Sequence, residues 1–199
     1  MRPNRHDLSL FQLMARAGCQ TIYLGIESGS SRILTAVKKD VTPEQARSCV
    51  ELINSCGMRS HGLFMAGFPE ETEADLLATL EFLHTVPLNS AVVSFFTYLA
   101  GSEIYERDVA SGKISKRDFS VAENTGFRLE DLRGIGQQRF LEIAKRIIEE
   151  VKRINHRDAS HIWRFYLKRK FFVAHPMLAV SKLAQFGYRC LTKRPRERK

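Results

Sequence analysis

The chain has 199 residues, 44% hydrophobic and 27% charged, which fits a globular chain and excludes a low-complexity or collagenous one. Its net charge of +9 is uneven: residues beyond 150 carry +12 and the first 150 carry −3. That asymmetry fits either a solvated helical face or a basic region meeting an anionic partner, a membrane surface or nucleic acid. The first ten residues hold no apolar segment, and the longest apolar stretch, 171–180, is interrupted by His175 and Pro176 and is too short to span a bilayer. A cytoplasmic location is the expectation.

In chain order, Leu10, Phe11, Met14 and Ala17 fall at helical spacing, and Gly18 follows as a helix stop. Residues 21–26 are β-branched, aromatic and almost continuously apolar, as in a strand buried on both faces. Ser30 or Ser31 can cap a short helix carrying Ile33, Leu34 and Val37. Thr42-Pro43-Glu44-Gln45 is a strong helix start, after which Ala46, Cys49, Val50, Ile53 and Cys56 share one face until Gly57. Residues 61–68 form a second strand. Thr72 with Asp75 then opens a helix striped by Leu76, Leu77, Leu80 and Leu83, and Pro87 closes it. Residues 91–99 form a third strand. Strands alternating with helices at this spacing predict right-handed crossovers and parallel strands. Residues 102–126 read as an irregular or partly helical connection. A long helix is predicted from about 130 to 155, then further basic, aromatic helix over 157–192, broken at Pro176. The domain division is 1–106, 107–192 and a disordered basic tail, 193–199.

In parallel α/β architectures ligands bind beyond the carboxyl ends of the strands. The candidates are therefore Glu27, Ser28, Gly29 and Ser30 after the first strand. Gly67, Phe68, Pro69, Glu70 and Glu71 follow the second, and Tyr98 to Gly101 the third. A carboxylate there can accept from both hydroxyls of a ribose, and serines can reach a ligand carboxylate or ammonium. Gly25, Gly29 and Gly67 allow close backbone approach, or only make turns. The cysteines, at 19, 49, 56 and 190, lack the short gaps of a cluster or zinc site, and the six histidines are scattered without metal spacing.

Three segments carry a family resemblance. The run from Leu13 to Lys39, containing Gly25-Ile26-Glu27-Ser28-Gly29-Ser30, is similar to the fourth βα unit of radical S-adenosylmethionine (radical SAM) enzymes. Residues 62–82, with Gly67-Phe68-Pro69-Glu70-Glu71-Thr72, resemble the fifth unit, and residues 92–106 the sixth. The nearest cluster within the family is the one whose members often carry an upstream cobalamin-binding domain. The resemblance implies an α/β fold: the C-terminal half of a partial (β/α)6 TIM-like barrel, three parallel strands with helices, plus a C-terminal helical extension. It also implies S-adenosylmethionine as ligand, with Glu27 and Ser28 at its ribose or methionine part. Gly67 and Phe68 would lie near the adenine, Gly25 would give the backbone room, and Lys38 would pair with the ligand carboxylate. The complete family holds a [4Fe–4S] cluster on three closely spaced cysteines and cleaves S-adenosylmethionine to a 5′-deoxyadenosyl radical. This chain has no such triplet, so the cluster, and cobalamin with it, is expected on an N-terminal half or partner chain. Two alternatives remain at this stage: a non-catalytic half-barrel that assembles with a partner, and an unrelated α/β enzyme using Glu27, Glu70 and Glu71 for acid–base work.

Overall fold

The computed structural model describes residues 1–4, 7–120 and 126–168, with side chains described up to residue 157. The chain divides into two units, 1–155 and 156–199. The expected break at Pro176 and the expected disordered tail at 193–199 lie outside the described residues.

The first unit is built on three parallel strands in the order β1 (Thr21–Glu27), β2 (Arg59–Ala66) and β3 (Ser90–Phe95). α1 (Leu8–Arg16) precedes β1, α2 (Ser31–Ala36) and α3 (Pro43–Ser55) link β1 to β2, and α4 (Glu73–Thr85) links β2 to β3; α5 (Glu103–Ala110) and α6 (Gln137–Lys168) follow β3. The local signals hold. Thr42 and Gln45 bond reciprocally as a capping box, and Pro43 begins α3. Gly18 and Gly57 take positive φ just past α1 and α3. α2 stops early because Lys38 turns left-handed, at φ 53°.

Alternation along the strands sorts two faces. Ile22, Leu24, Ile26, Phe64 and Ala91 are buried with Phe11 of α1, Val50 and Ile53 of α3, Leu76 and Leu83 of α4 and Phe140 and Ile147 of α6 in one core. Each fully buried Leu, Ile or Phe contributes roughly 1.5–3 kcal/mol. A smaller cluster of Ile33, Phe68, Phe96, Tyr98 and Tyr105 closes the carboxyl end of the sheet between α2 and α5.

The opposite sheet face is open at Tyr23, 57% exposed, and at Val92, 41% exposed. A half-barrel lacking its earlier strands is expected to leave Tyr23, Phe64, Phe95 and Phe96 uncovered. Only Tyr23 is exposed. Phe64 points to the helix side, Phe96 is covered by Phe68 and Tyr98, and Phe95 packs on Phe127 and Phe140. β1, at the edge of the sheet, is met at one point by Met1. The Met1 ammonium donates to Tyr23 O at 2.7 Å and Gly25 N–H donates to Met1 O at 3.1 Å, flanking Leu24 as one residue of a further parallel strand would.

The long helix begins at Gln137, not near 130. Residues 129–131 form a 3-10 turn instead, and Arg133 and Gly134 N–H both donate to Pro69 O. A Cβ on Gly134 would lie 2.5 Å from Glu71 O, so this glycine is required by contact with the β2–α4 turn. β3 stops at Phe95, earlier than expected, and Tyr98 turns inward to meet α5.

An open apolar sheet face with an underpaired edge favours association. The expected outcome is that the chain alone scatters light as more than a monomer, with mass falling on dilution. Substituting Tyr23→Lys and Val92→Lys together should return a monomer; a wild-type monomer at all concentrations would refute this.

Candidate functional site at the strand ends

All three strands end at one rim. β1 reaches it with a register slip: Gly25 pairs with Leu63, but Glu27 pairs with Phe64. Glu27 takes φ 68°, a conformation that costs a non-glycine residue of order 1 kcal/mol and points to a functional or local constraint. The constraint is visible. The Glu27 carboxylate accepts from Lys39 Nζ at 2.7 Å, and both side chains remain about one-fifth to one-quarter exposed. A Cβ on Gly25 would lie 3.0 Å from both Glu27 Oε1 and Lys39 Nζ, so the absent side chain is what lets the pair lie over the strand.

Lys38, the lysine chosen from the sequence, points elsewhere. It forms a surface pair with Glu103 of α5 at 2.7 Å, worth at most about 1 kcal/mol at such exposure. The left-handed turns at Lys38 and Asp40 bring Lys39 back over β1. No periodicity distinguishes two adjacent lysines, so the sequence gives no means of choosing between them.

Ser28 is fully buried and its hydroxyl is committed. Thr79 Oγ1 donates to Asp75 O and accepts from Gly29 N–H, so Ser28 Oγ, 3.0 Å away, is the donor to Thr79; it also accepts from Ser30 N–H. Ser30 caps α2, accepting from Ile33 N–H, and donates to Asp75 at 2.6 Å. Arg32 bonds both Asp75 oxygens and donates to Glu70 O at 2.7 Å. Thr72 N–H and Oγ1 also donate to Asp75, at 2.8 and 2.6 Å. Gly29 is needed because a Cβ would lie 2.5 Å from Ala78 O. The loop after β1 and the start of α4 are thus stapled together. Burial alone would raise the Asp75 pKa, but donors from Arg32, Ser30 and Thr72 outweigh it and hold the carboxylate well below its usual range.

The turn after β2 is equally engaged. Gly67 has φ 85°, and a Cβ there would meet the Phe127 ring at 2.5 Å, so its lack of a side chain admits Phe127. Phe68 is buried against Phe96. Glu70 pairs with Lys113 and Arg133, which lower its pKa. Arg133 also holds the buried Asp108 at 2.7 Å, and Tyr98 OH donates to Asp108 at 2.6 Å. Burial and the bond to Asp108 push the Tyr98 hydroxyl up to about 12. Glu71 is buried too, and burial raises it to about 7. Acid–base work by Glu70 and Glu71 is therefore not what the geometry offers. Of the residues chosen from sequence, Glu27 and Gly25 come together at the open rim, with Lys39 added. Ser28, Gly67 and Phe68 serve the packing beneath it, and Lys38 lies apart.

Metal ligation has no support here. Cys49 is buried in the core with its thiol pushed up to about 11 by burial, and no His, Cys, Asp and Glu cluster suited to a metal occurs among the described residues. The described residues do not fit an iron–sulfur cluster. No helix among the described residues is long and apolar enough to cross a membrane.

A rim built at the carboxyl ends of parallel strands, with crossover helices on one face, defines part of a (β/α) barrel. Residues 2–83 match the radical SAM superfamily. It is 33% identical over 110 residues to an uncharacterized methyltransferase of Pyrococcus horikoshii, covering 55% of this chain and 24% of that protein. It is 30% identical over 104 residues to a putative methylthiotransferase of Methanocaldococcus jannaschii, covering 52% and 23%. The chain thus spans about a quarter of the length of these curated relatives. In fold it is similar to coproporphyrinogen III oxidase from Escherichia coli, a radical SAM enzyme (TM-score 0.55, 12% identity, 77% of this chain and 31% of that one). It is similar also to an N-terminally deleted Elp3 from the archaeon Methanocaldococcus infernus (TM-score 0.53, 19% identity, 73% and 31%).

Two outcomes follow from the staple and the buried acid. Asp75→Ala should destabilise the chain by about 3 kcal/mol, since it strands several buried donors, whereas Lys38→Ala should stay within about 0.5 kcal/mol in denaturant melts. Glu71 has the opposite sign to most carboxylates. Between its ordinary 4.5 and about 7 the folded state keeps a proton that the unfolded state has released, so stability falls as pH rises through that interval. Glu71→Gln should flatten this decline, and a wild-type melting temperature constant from pH 5 to roughly 7.5 would contradict it.

Proposed function

We propose that this chain supplies the later strands of a radical SAM barrel and that Glu27 and Lys39 contact S-adenosylmethionine, the carboxylate at the ribose diol and the ammonium at the methionine carboxylate. The observation that carries the reading is the partly exposed Glu27–Lys39 pair at 2.7 Å over Gly25, at the end of β1, in a chain whose residues 2–83 match the superfamily. A carboxylate accepts from two hydroxyls, and a lysine ammonium is a compact partner for a carboxylate; both groups would exchange one another for the ligand on binding. S-adenosylmethionine supplies, in the family, the radical-forming bond cleavage. This chain's residues bind and orient it.

The cluster that triggers that cleavage would be held by three cysteines on a segment or chain other than the residues described, docking on the open face at Tyr23 and Val92 and extending the strand pairing seen at Met1. A cobalamin-binding domain, by the same resemblance, would be carried with that segment. The basic stretch beyond residue 150 is assigned to an anionic partner, and the assembly to the cytoplasm. The curated relatives named above are methyl- or methylthiotransferases, which favours a transfer of one of those groups as the reaction of the whole protein.

The test is anaerobic reconstitution with iron and sulfide. The chain alone should not retain a stoichiometric [4Fe–4S] centre after desalting. Co-expressed with a segment carrying a closely spaced cysteine triplet, it should retain one and bind S-adenosylmethionine, and Glu27→Gln or Lys39→Met should each weaken that binding by about tenfold. A stable cluster on the chain alone, lost on replacing Cys49 or Cys56, would overturn the assignment, as would unchanged binding in both rim variants.

A further inference from the structure

β3 ends the sheet on the side away from β1, and Ser90–Phe95 carries neither charge nor proline, the usual guards of an exposed edge. Phe96 N–H donates to Ala66 O at 2.9 Å, so the even-numbered residues of β3 turn their backbone groups to β2 and the odd-numbered ones to the outside. At Ala91 the outside is taken. Asn155 of α6 accepts from Ala91 N–H and donates to Ala91 O, both at 2.8 Å, so its amide stands in for a strand residue. Val93 and Phe95 follow, and their N–H and C=O groups meet no partner among the described residues.

Beside this stretch lies a groove of about 870 Å³ between the end of β3 and α6, walled by Phe95, Phe127, Phe140, Leu141, Ala144 and Ile148. Leu141 is 48% exposed. Lys145 and Lys152 stand two turns apart on the same wall and join no ion pair among the described residues, whereas Arg128 is balanced by Glu130 at 3.1 Å. The charge left over in the groove is two lysines against Glu149.

These features fit extended polypeptide better than a lipid tail. A tail would fill the groove and leave the Val93 and Phe95 backbone groups without partners; a second backbone matches them, because they recur at the two-residue period of a strand. The other edge of the same sheet takes chain in this way, with Met1 bonded to Tyr23 O and Gly25 N–H. The lysines add a preference for an acidic side chain.

We propose that the β3 edge and the α6 groove bind an extended segment of a partner protein as a further strand. Its backbone pairs with Val93 and Phe95, its alternate apolar side chains fill the groove, and an acidic side chain meets Lys145 or Lys152. The site lies at the opposite edge from Met1 and does not depend on the adenosyl-site reading.

The experiment uses the full chain and blocked eight-residue peptides that alternate valine with threonine and carry one glutamate. Backbone hydrogen exchange is read with and without peptide, and affinity by fluorescence anisotropy of labelled peptide. The expected result is that peptide slows exchange at the Val93 and Phe95 amides by tenfold or more and leaves Ala91 and Ser94 unchanged. Val93→Pro removes an N–H that faces outward, a change edge strands tolerate, and should weaken binding by tenfold or more. Lys145→Glu with Lys152→Glu should do the same. Should Val93→Pro fail to fold, a peptide methylated at alternate backbone nitrogens makes the same comparison on the unaltered chain and should not bind. Equal binding of the methylated peptide would make the groove a site for apolar groups alone. Val93 and Phe95 amides protected without peptide at every protein concentration would mean that residues beyond 157 of the same chain cover the edge, and protection that grows with concentration would mean a second copy. Each of these overturns the proposal, as does a peptide that leaves the two amides unprotected or binds both variants as it binds the wild type.

Discussion

The carboxylate of Asp75 is the point on which the rim is organised. It accepts from Ser30 and Arg32 of the segment after β1 and from Thr72 at the start of its own helix, while the next turn of that helix presents Thr79 to Ser28 and Gly29. A buried charge without such donors is costly, and with them it becomes a strong, directional anchor. The loop that follows β1 therefore has one place to go. Gly29 follows from the same constraint: at 2.5 Å from Ala78 O, no side chain can stand between loop and helix.

With the loop fixed, the chemistry at the rim is narrowed to what the anchor leaves open. Ser28, Ser30 and Arg32 face inward or along α4 and are spent on the fold. Glu27, one residue before the anchored loop, is turned by its positive φ to the open side, where Lys39 meets it. The two segments that carry the family resemblance are thus largely matched to each other. Their conspicuous polar residues join loop to helix, and the pair left accessible beside them has one member, Lys39, outside either segment's core. The second rim element follows the same economy: Gly67 makes room for Phe127, and Glu70 and Arg133 bind the stretch before α6 to the β2 turn.

Sequence legibility tracked how local the determining interaction was. Capping at Thr42, Ser30 and Thr72, the core faces of α3 and α4 and the parallel order of the strands depend on neighbours within one turn or on period, and these were readable. The start of α6 depends on Gly134 meeting Glu71 O, more than sixty residues away in sequence, and was placed too early. The exposed face was misassigned at Phe64 because an almost wholly apolar strand does not reveal which alternation faces the helices. At the site, a carboxylate at a strand end singles out Glu27 in the sequence, and the structure sets it beside Lys39. The bond of Ser28 to Thr79 was not legible, because a serine so engaged looks in sequence like one awaiting a ligand. Thr79 had a signal, a polar residue within the Leu76–Leu80–Leu83 stripe, and Asp75 had its capping position; neither disclosed the partner across space.

The claim that these two segments hold one another, leaving Glu27 and Lys39 accessible, is most directly measured by a double-mutant cycle between Ser30→Ala and Asp75→Ala in denaturant unfolding, made in the Tyr23→Lys, Val92→Lys background that returns a monomer. Their hydrogen bond at 2.6 Å joins two buried groups on elements 45 residues apart. The account predicts a coupling of about 1.5–3 kcal/mol, the range for a bond to a charged acceptor. Additivity within about 0.5 kcal/mol would mean that the loop is held by something else, and the serines would again be free for a ligand.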